Sequence, residues 1–381
     1  MPVETLDPKH HVAVREVVPH TRNQPLDVLR CAAILLVMGR HFPYYDAWGR
    51  IGWIGVDLFF VLSGFLISGL LYQEYKMIGK IRFGRFVFRR GFKIWPPFYF
   101  CMAITGGLVA WGSPKLFPWK GFATASLFVQ SYFPHQGPEM LGPTWSLAVE
   151  EHFYLLLPIV LMLLIAFTPK RPGNPMAAIP YLFIVLSVAC LAARCLSPDM
   201  NSHLVANRAT HMRIDSLFAG VTLGYFYHFR RSWFQKLTGN YALAVAFVCC
   251  LPAAFLEEGT FLMRTVGLSS LFVGFSFLVA WSVVRSPRSK WGQILVGSAA
   301  KIGVFSYSIY LWHRILSILF LHYYGNSALG FWLYIVAAIV LGVAMAKLVE
   351  MPSLALRDRW QPAEFDAAVV PSAIFRGKPC P

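Results

Sequence analysis

Charge is scarce in this 381-residue chain. Asp, Glu, Lys and Arg make up 14% of it, with 18 acids against 34 bases, while 57% of the residues are hydrophobic. That balance argues against an ordinary soluble enzyme and against a disordered protein, and it suits a polytopic membrane protein. There is no Gly-rich phosphate loop, no paired CxxC, no HExxH and no GxSxG, so the chemistries those motifs signal are not indicated. The seven cysteines (Cys31, Cys101, Cys190, Cys195, Cys249, Cys250 and Cys380) lack paired metal spacing, and most fall in apolar segments. They read as small buried hydrophobes, with neither a disulfide framework nor a metal site expected. Residues 1–24 have no apolar core and so do not read as a cleavable signal peptide. No internal repeat of the kind found in many transporters is visible.

What the chain does have is apolar windows long enough to cross a bilayer, recurring along nearly its whole length. The expected spans are 26–43, 53–73, 94–111, 145–167, 177–196, 214–229, 241–256, 261–284, 303–323 and 328–350. A further apolar stretch, 119–132, is short and carries Gln130 and Ser131. If it crosses, the groups Lys170–Arg171, Arg230–Arg231–Lys236 and Arg285–Arg288–Lys290 all lie outside. If it only dips in, they lie inside with the basic 76–93 loop, which satisfies the positive-inside rule. The sequence therefore predicts an all-α polytopic membrane protein with about ten transmembrane helices and a short re-entrant or interfacial helix at 119–132. Its parts are a cytoplasmic arm (1–25), a membrane domain (26–351) and a flexible cytoplasmic tail (352–381). The net charge of +16 is read as topology and lipid contact, not as nucleic-acid binding.

Within the first span, LDVLRCAAILLVMGRHF, ten residues separate Arg30 from His41. Eleven helical steps make three turns plus about 20°, so the two side chains share a face roughly 16 Å apart along the axis. Ionisable groups inside a span are costly and mark functional sites by default. Two on one face imply a polar track through the bilayer. His41 suits proton abstraction from a hydroxyl; the bland alternative is an anchor at the interface. Arg30 can instead pair with Asp27 or snorkel to lipid.

Five other segments carry candidates. In PTWSLAVEEHFYLLLP, Ser146, Glu150 and Tyr154 follow one another at i,i+4 steps after Trp145, although Glu150 and Glu151 also complement a helix N-terminus. In GVDLFFVLSGFLI, Asp57 is placed to steady His41 or an acceptor, while Ser63–Gly64 reads as a helix-packing device. The loop RFGRFVFRRGFKIWP alternates cations with aromatics, which fits lipid headgroups or a phosphate-rich ligand held by Arg89, Arg90 and Lys93. Finally, FSYSIYLWHRILSI puts Tyr310 and His313 on one helix face, and HMRIDSLFAG sets Arg213 and Asp215 at the start of a span, either as caps or as acceptor contacts.

Taken together, LDVLR…H, GVDLFFVLSGFLI, RRGFKIWP, WSLAVEEHFYLLLP, RIDSLFAG and SYSIYLWH resemble the acyltransferase-3 family of integral membrane O-acyltransferases over about residues 26–350. The chain departs from the pattern at Val28 and Cys31, where glycines are usual. It departs again at Lys93, which replaces an arginine and keeps its charge without the bidentate fork. The resemblance implies transfer of an acyl group, commonly acetyl, from cytoplasmic acyl-coenzyme A as co-substrate to a hydroxyl. Acceptors in the family are extracytoplasmic or lipid-linked glycans such as lipopolysaccharide, and sometimes small molecules such as macrolides. The charge pattern and the resemblance together lead to the expectation of a cell inner (plasma) membrane protein with both termini inside, without the C-terminal soluble domain that larger relatives carry. The implied catalytic residues are His41, Glu150 and Asp57. Arg30, Arg89, Arg90 and Lys93 would bind the coenzyme, and Trp145, Ser146, Tyr154, Arg213, Asp215 and His313 the acceptor. A covalent acyl-enzyme on His41 or Ser146 stays open, as does a flippase or transporter using the same track.

Overall fold

The computed structural model describes residues 23–112, 115, 117–134, 136–168, 173–197, 208–285 and 289–362. The helices, in chain order, are α1 (Gln24–Arg40), α2 (Asp46–Ile51), α3 (Ile54–Ile78), α4 (Phe83–Gly112), α5 (Trp119–Ser126), α6 (Trp145–Phe167), α7 (Ile179–Leu196), α8 (Thr210–Phe229), α9 (Arg231–Lys236), α10 (Tyr241–Phe255), α11 (Leu268–Val283), α12 (Lys290–Val304), α13 (Ser306–Tyr324), α14 (Ala328–Met345) and α15 (Met351–Trp360). No strand is found among the described residues.

Each expected span coincides with a helix, but fewer of them meet the length and composition of a bilayer crossing. Six do, and a seventh is reached if α12 and α13, bent by 70° at their junction, are counted as one broken span. By length and composition, the count of about ten is therefore not confirmed. The reason is visible in α1 and α8. They have 17 and 20 residues and carry charged side chains, of which Asp27, Arg213 and Asp215 are buried inside the bundle and Arg30 is half-buried. Helix α5 has eight residues and rises about 12 Å, against a hydrocarbon core of about 30 Å, so it cannot cross alone.

Local sequence explains where the helices begin and end. The Asn23 side chain accepts from the Leu26 amide to cap α1, and Pro25 sits in the first turn, where its missing N–H costs nothing. Helix α3 stops at Gly79, whose φ of 69° returns its N–H to the Tyr75 carbonyl. Where the sequence predicts a flexible tail from 352, residues 351–360 instead form α15. Trp360 contacts Phe88 and Phe92 of α4, and Asp358 pairs with Arg89, which ties the segment to the bundle. The expected arm (1–22), Lys170, Arg171, Arg288 and residues 363–381 lie outside the described residues.

The core pairs α3 with α8. A Cβ on Gly64 would lie 1.9 Å from the Leu217 carbonyl oxygen, and one on Gly220 would lie 2.2 Å from that of Val61. The two backbones touch, as small residues allow between membrane helices. Gly64→Ala should therefore force the pair apart at an overpacking cost of about 1–3 kcal/mol. Gly107→Ala, where an added Cβ meets nothing within 4 Å, should be neutral or slightly stabilising. Thermal unfolding of the two variants in detergent separates these outcomes; equal midpoints would refute the close approach.

Candidate active site

Two cavities lie back to back in the bundle. The larger, about 650 Å³, is lined by His41, Trp145, Arg208, Arg213, Tyr310 and Arg314 among others. The smaller, about 120 Å³, is lined by Arg30, Ser63, Arg90, Lys93, Glu150 and Tyr154 together with the broken α12–α13 junction at Gly303, Val304 and Ser306. Val56 and Tyr310 belong to both walls. Helix α1 thus presents Arg30 to the small chamber and His41, at its C-terminal cap, to the large one. Irregular backbone is tolerated at membrane depth where it lines a cavity, and the α12–α13 break does so here.

His41, on the wall of the large chamber, meets the imidazole of His313, which is fully buried and lines neither cavity. His313 Nδ1 is 2.6 Å from the Tyr310 carbonyl oxygen, and its Nε2 is 3.2 Å from His41 Nδ1, which is also 2.9 Å from the Val37 carbonyl oxygen. A carbonyl can only accept, so in neutral rings both Nδ1 atoms carry the proton. His313 Nε2 is then an acceptor, and His41 Nδ1–H is shared between it and Val37. That tautomer leaves the lone pair of His41 on Nε2. The ring is also held from behind: Arg314 donates to the His41 carbonyl oxygen at 3.2 Å and pairs with Glu139. This is the orienting arrangement that a general base requires.

Tyr310 occupies the throat. Its hydroxyl lies 2.5 Å from the Pro143 carbonyl oxygen, to which it must donate, and 2.7 Å from Ser146 Oγ, from which it must then accept. In the small chamber Glu150 accepts from Ser63 Oγ at 2.7 Å and from Tyr154 Oη at 3.0 Å, and Arg90 stands 5.5 Å from the centre of the Tyr154 ring. Arg30 is held by Asp27 at 2.6 Å. Three cations against one or two acids make this chamber electropositive.

Several sequence-predicted residues are placed elsewhere. Asp57 was expected beside His41; it is fully buried and bonded at 2.7 Å to Arg213, since a carboxylate without water needs the nearest guanidinium. Glu150 likewise belongs to the small chamber and does not touch His41, whose neighbouring ring is His313. Asp215 does not face either cavity: it is fully buried and pairs with Arg194 at 2.8 Å. Arg213 does line the large chamber, 5.6 Å from the centre of the Trp145 ring. Arg89 is separated from Arg90 and Lys93, because Asp358 of α15 takes it at 3.0 Å. His152 bonds Thr210 Oγ1 at 2.6 Å and ties α6 to α8.

Sequence reasoning left Arg194, Arg208, Glu139 and Glu258 unassigned. For Arg194 the signal exists, since a lone arginine in the apolar run Ile179–Leu196 demands a buried partner. For the other three, which gather around the chamber from distant loops, sequence spacing carries no signal.

A family model described as an acyltransferase domain, Acyl_transf_3, matches residues 23–349. The chain belongs to this family of acyltransferases. It is 29% identical over 311 residues to the peptidoglycan O-acetyltransferase OatA of Listeria monocytogenes, covering 76% of this chain and 48% of that protein. It is 28% identical over 344 residues to the O-acetyltransferase OatA of Staphylococcus aureus, covering 85% and 55%. The putative peptidoglycan O-acetyltransferase YrhL of Bacillus subtilis is 29% identical over 315 residues, covering 77% and 48%. The chain spans about half the length of the curated relatives it matches. No solved structure matches it.

Proposed function

We propose that the protein transfers an acyl group, acetyl in the simplest case, from cytoplasmic acyl-coenzyme A to a hydroxyl of an extracytoplasmic or lipid-linked glycan. The observation that carries this reading is the meeting of an oriented imidazole with an electropositive chamber across one throat. The similarity to relatives named for O-acetyl transfer to peptidoglycan favours acetyl and a glycan acceptor. The basic 76–93 segment, read as cytoplasmic, favours entry of the coenzyme from inside and the inner membrane as location.

A chamber of about 120 Å³ is too small for a nucleotide and admits only a slender chain. The coenzyme's phosphates accordingly stay at the basic surface, and its pantetheine arm runs between Arg30, Arg90 and Lys93 toward Tyr310. The acceptor occupies the large chamber. His41 Nε2 takes the proton of the acceptor hydroxyl as its oxygen attacks the thioester carbonyl. The tetrahedral intermediate collapses, the C–S bond breaks, and the coenzyme thiolate leaves and takes a proton. The products are an ester and a free thiol. Ser146, whose hydroxyl donates to Tyr310 at the throat, can turn that proton to the oxygen that becomes negative, while Tyr310 keeps its bond to the Pro143 carbonyl.

The experiment is a thiol assay on the purified protein in lipid nanodiscs, with acetyl-coenzyme A and cell-wall glycan fragments. Release of free coenzyme thiol should depend on acceptor and match the labelled acetyl found on the glycan. Movement of glycan across the bilayer without thiol release would instead establish a flippase.

A further inference from the structure

The large chamber holds more positive charge than its proton chemistry uses. Four arginines line it. Arg40 pairs with Glu258 at 2.8 Å, Arg213 with Asp57 at 2.7 Å, and Arg314 with Glu139. Arg208 differs. Among the described residues it makes no ion pair; its guanidinium stands 5.9 Å from the Trp145 ring centre, and Glu258, whose charge it feels, is bonded to Arg40. Glu139 and Glu258 sit at the exposed rim, whereas Asp57 is spent on Arg213. Among the described residues, Arg208 is therefore the one arginine lining the chamber that no carboxylate pairs directly, although the charge of Glu258 reaches it.

That cation is well placed for a ligand. Beside the Trp145 indole, the guanidinium offers a planar fork that matches the two oxygens of a carboxylate or phosphate. His41 and Arg208 line the same cavity, whose volume falls in the range typical of small-molecule sites.

We propose that the acceptor is anionic: a sugar bearing a carboxylate or phosphate that docks on Arg208, with the reacting hydroxyl turned to His41. This rests on the transferase reading above. It adds what that reading leaves open, namely how one hydroxyl among the many on a glycan is selected. A charge pinned at Arg208 fixes which hydroxyl reaches His41.

The test compares three acceptors on the full chain: an oligosaccharide ending in glucuronate, its uncharged methyl ester, and the same oligosaccharide carrying a sugar phosphate. In the wild type, kcat/KM for the better anion should exceed that for the ester by about 10–100-fold, the usual range for hydrogen bonds to a charged group. In Arg208→Gln the ratio should fall toward one. In Arg208→Lys part of it should return, because the charge remains without the fork. Whichever of carboxylate and phosphate depends more on Arg208 identifies the natural anion, and either supports the proposal. A wild-type ratio near one, or a ratio unchanged in Arg208→Gln, overturns it while leaving the transferase intact. No thiol release with any of the three sugars overturns the transferase reading itself.

Discussion

In His41→Ala, acetyl transfer should fall by about 10²–10⁴-fold, the range that a positioned general base contributes. The amount of protein in the membrane should not change, because His41 caps α1 through its backbone amide, which bonds the Met38 carbonyl whatever the side chain. His313→Ala should cost less, about tenfold, since it removes one hydrogen bond that orients the base rather than the base itself. His313→Gln should recover part of that, because its amide oxygen can accept the His41 Nδ1 proton. Thiol release per immunoblotted protein measures all three. Wild-type turnover in His41→Ala would eliminate the mechanism. A His313→Ala loss as deep as that of His41→Ala would mean that His313 contacts substrate directly.

Breaking the Asp57–Arg213 pair should produce a large stability loss. Both side chains are buried, and Asp57 Oδ2 and Arg213 Nε already lack hydrogen-bond partners. Such a pair is weak evidence of net stabilisation, yet removing one member strands the other charge at a cost of about 3–5 kcal/mol. Arg213→Leu alone should therefore lower the unfolding midpoint in detergent sharply. The double variant Asp57→Leu with Arg213→Leu should regain most of it, because no charge is left stranded. It should not regain activity, since the guanidinium beside Trp145 is gone. Additive losses in the double variant would show that the two charges do not compensate each other.

Much of the architecture was legible because periodicity and apolar length are local properties. The helices fall where the ten apolar windows do, and the eight-residue α5 falls where the chain is too short to cross. The number of crossings was not legible. Hydropathy cannot distinguish a helix that faces lipid from one such as α8, whose neighbours α3, α6 and α7 enclose it. Within the site, residues on one helix face were found: Arg30 and His41 on α1, and Tyr310 and His313 on α13. What failed was pairing across helices. Asp57 was assigned to His41 because both were read at the same depth; only the packing of α3 on α8 reveals that Arg213 takes it. Arg89 was grouped with Arg90 by adjacency, although neighbours on a helix point about 100° apart, and α15 claims the former.

A bilayer must insulate, and a protein that hollows out both sides of one risks shorting it. Between the two chambers the electrical barrier is only as thick as Val56 and the phenol of Tyr310, laced to Ser146 and Pro143. On the proposed reading, in which the chambers open to opposite faces of the membrane, whatever chain passes between Val56 and Tyr310 must act as its own plug.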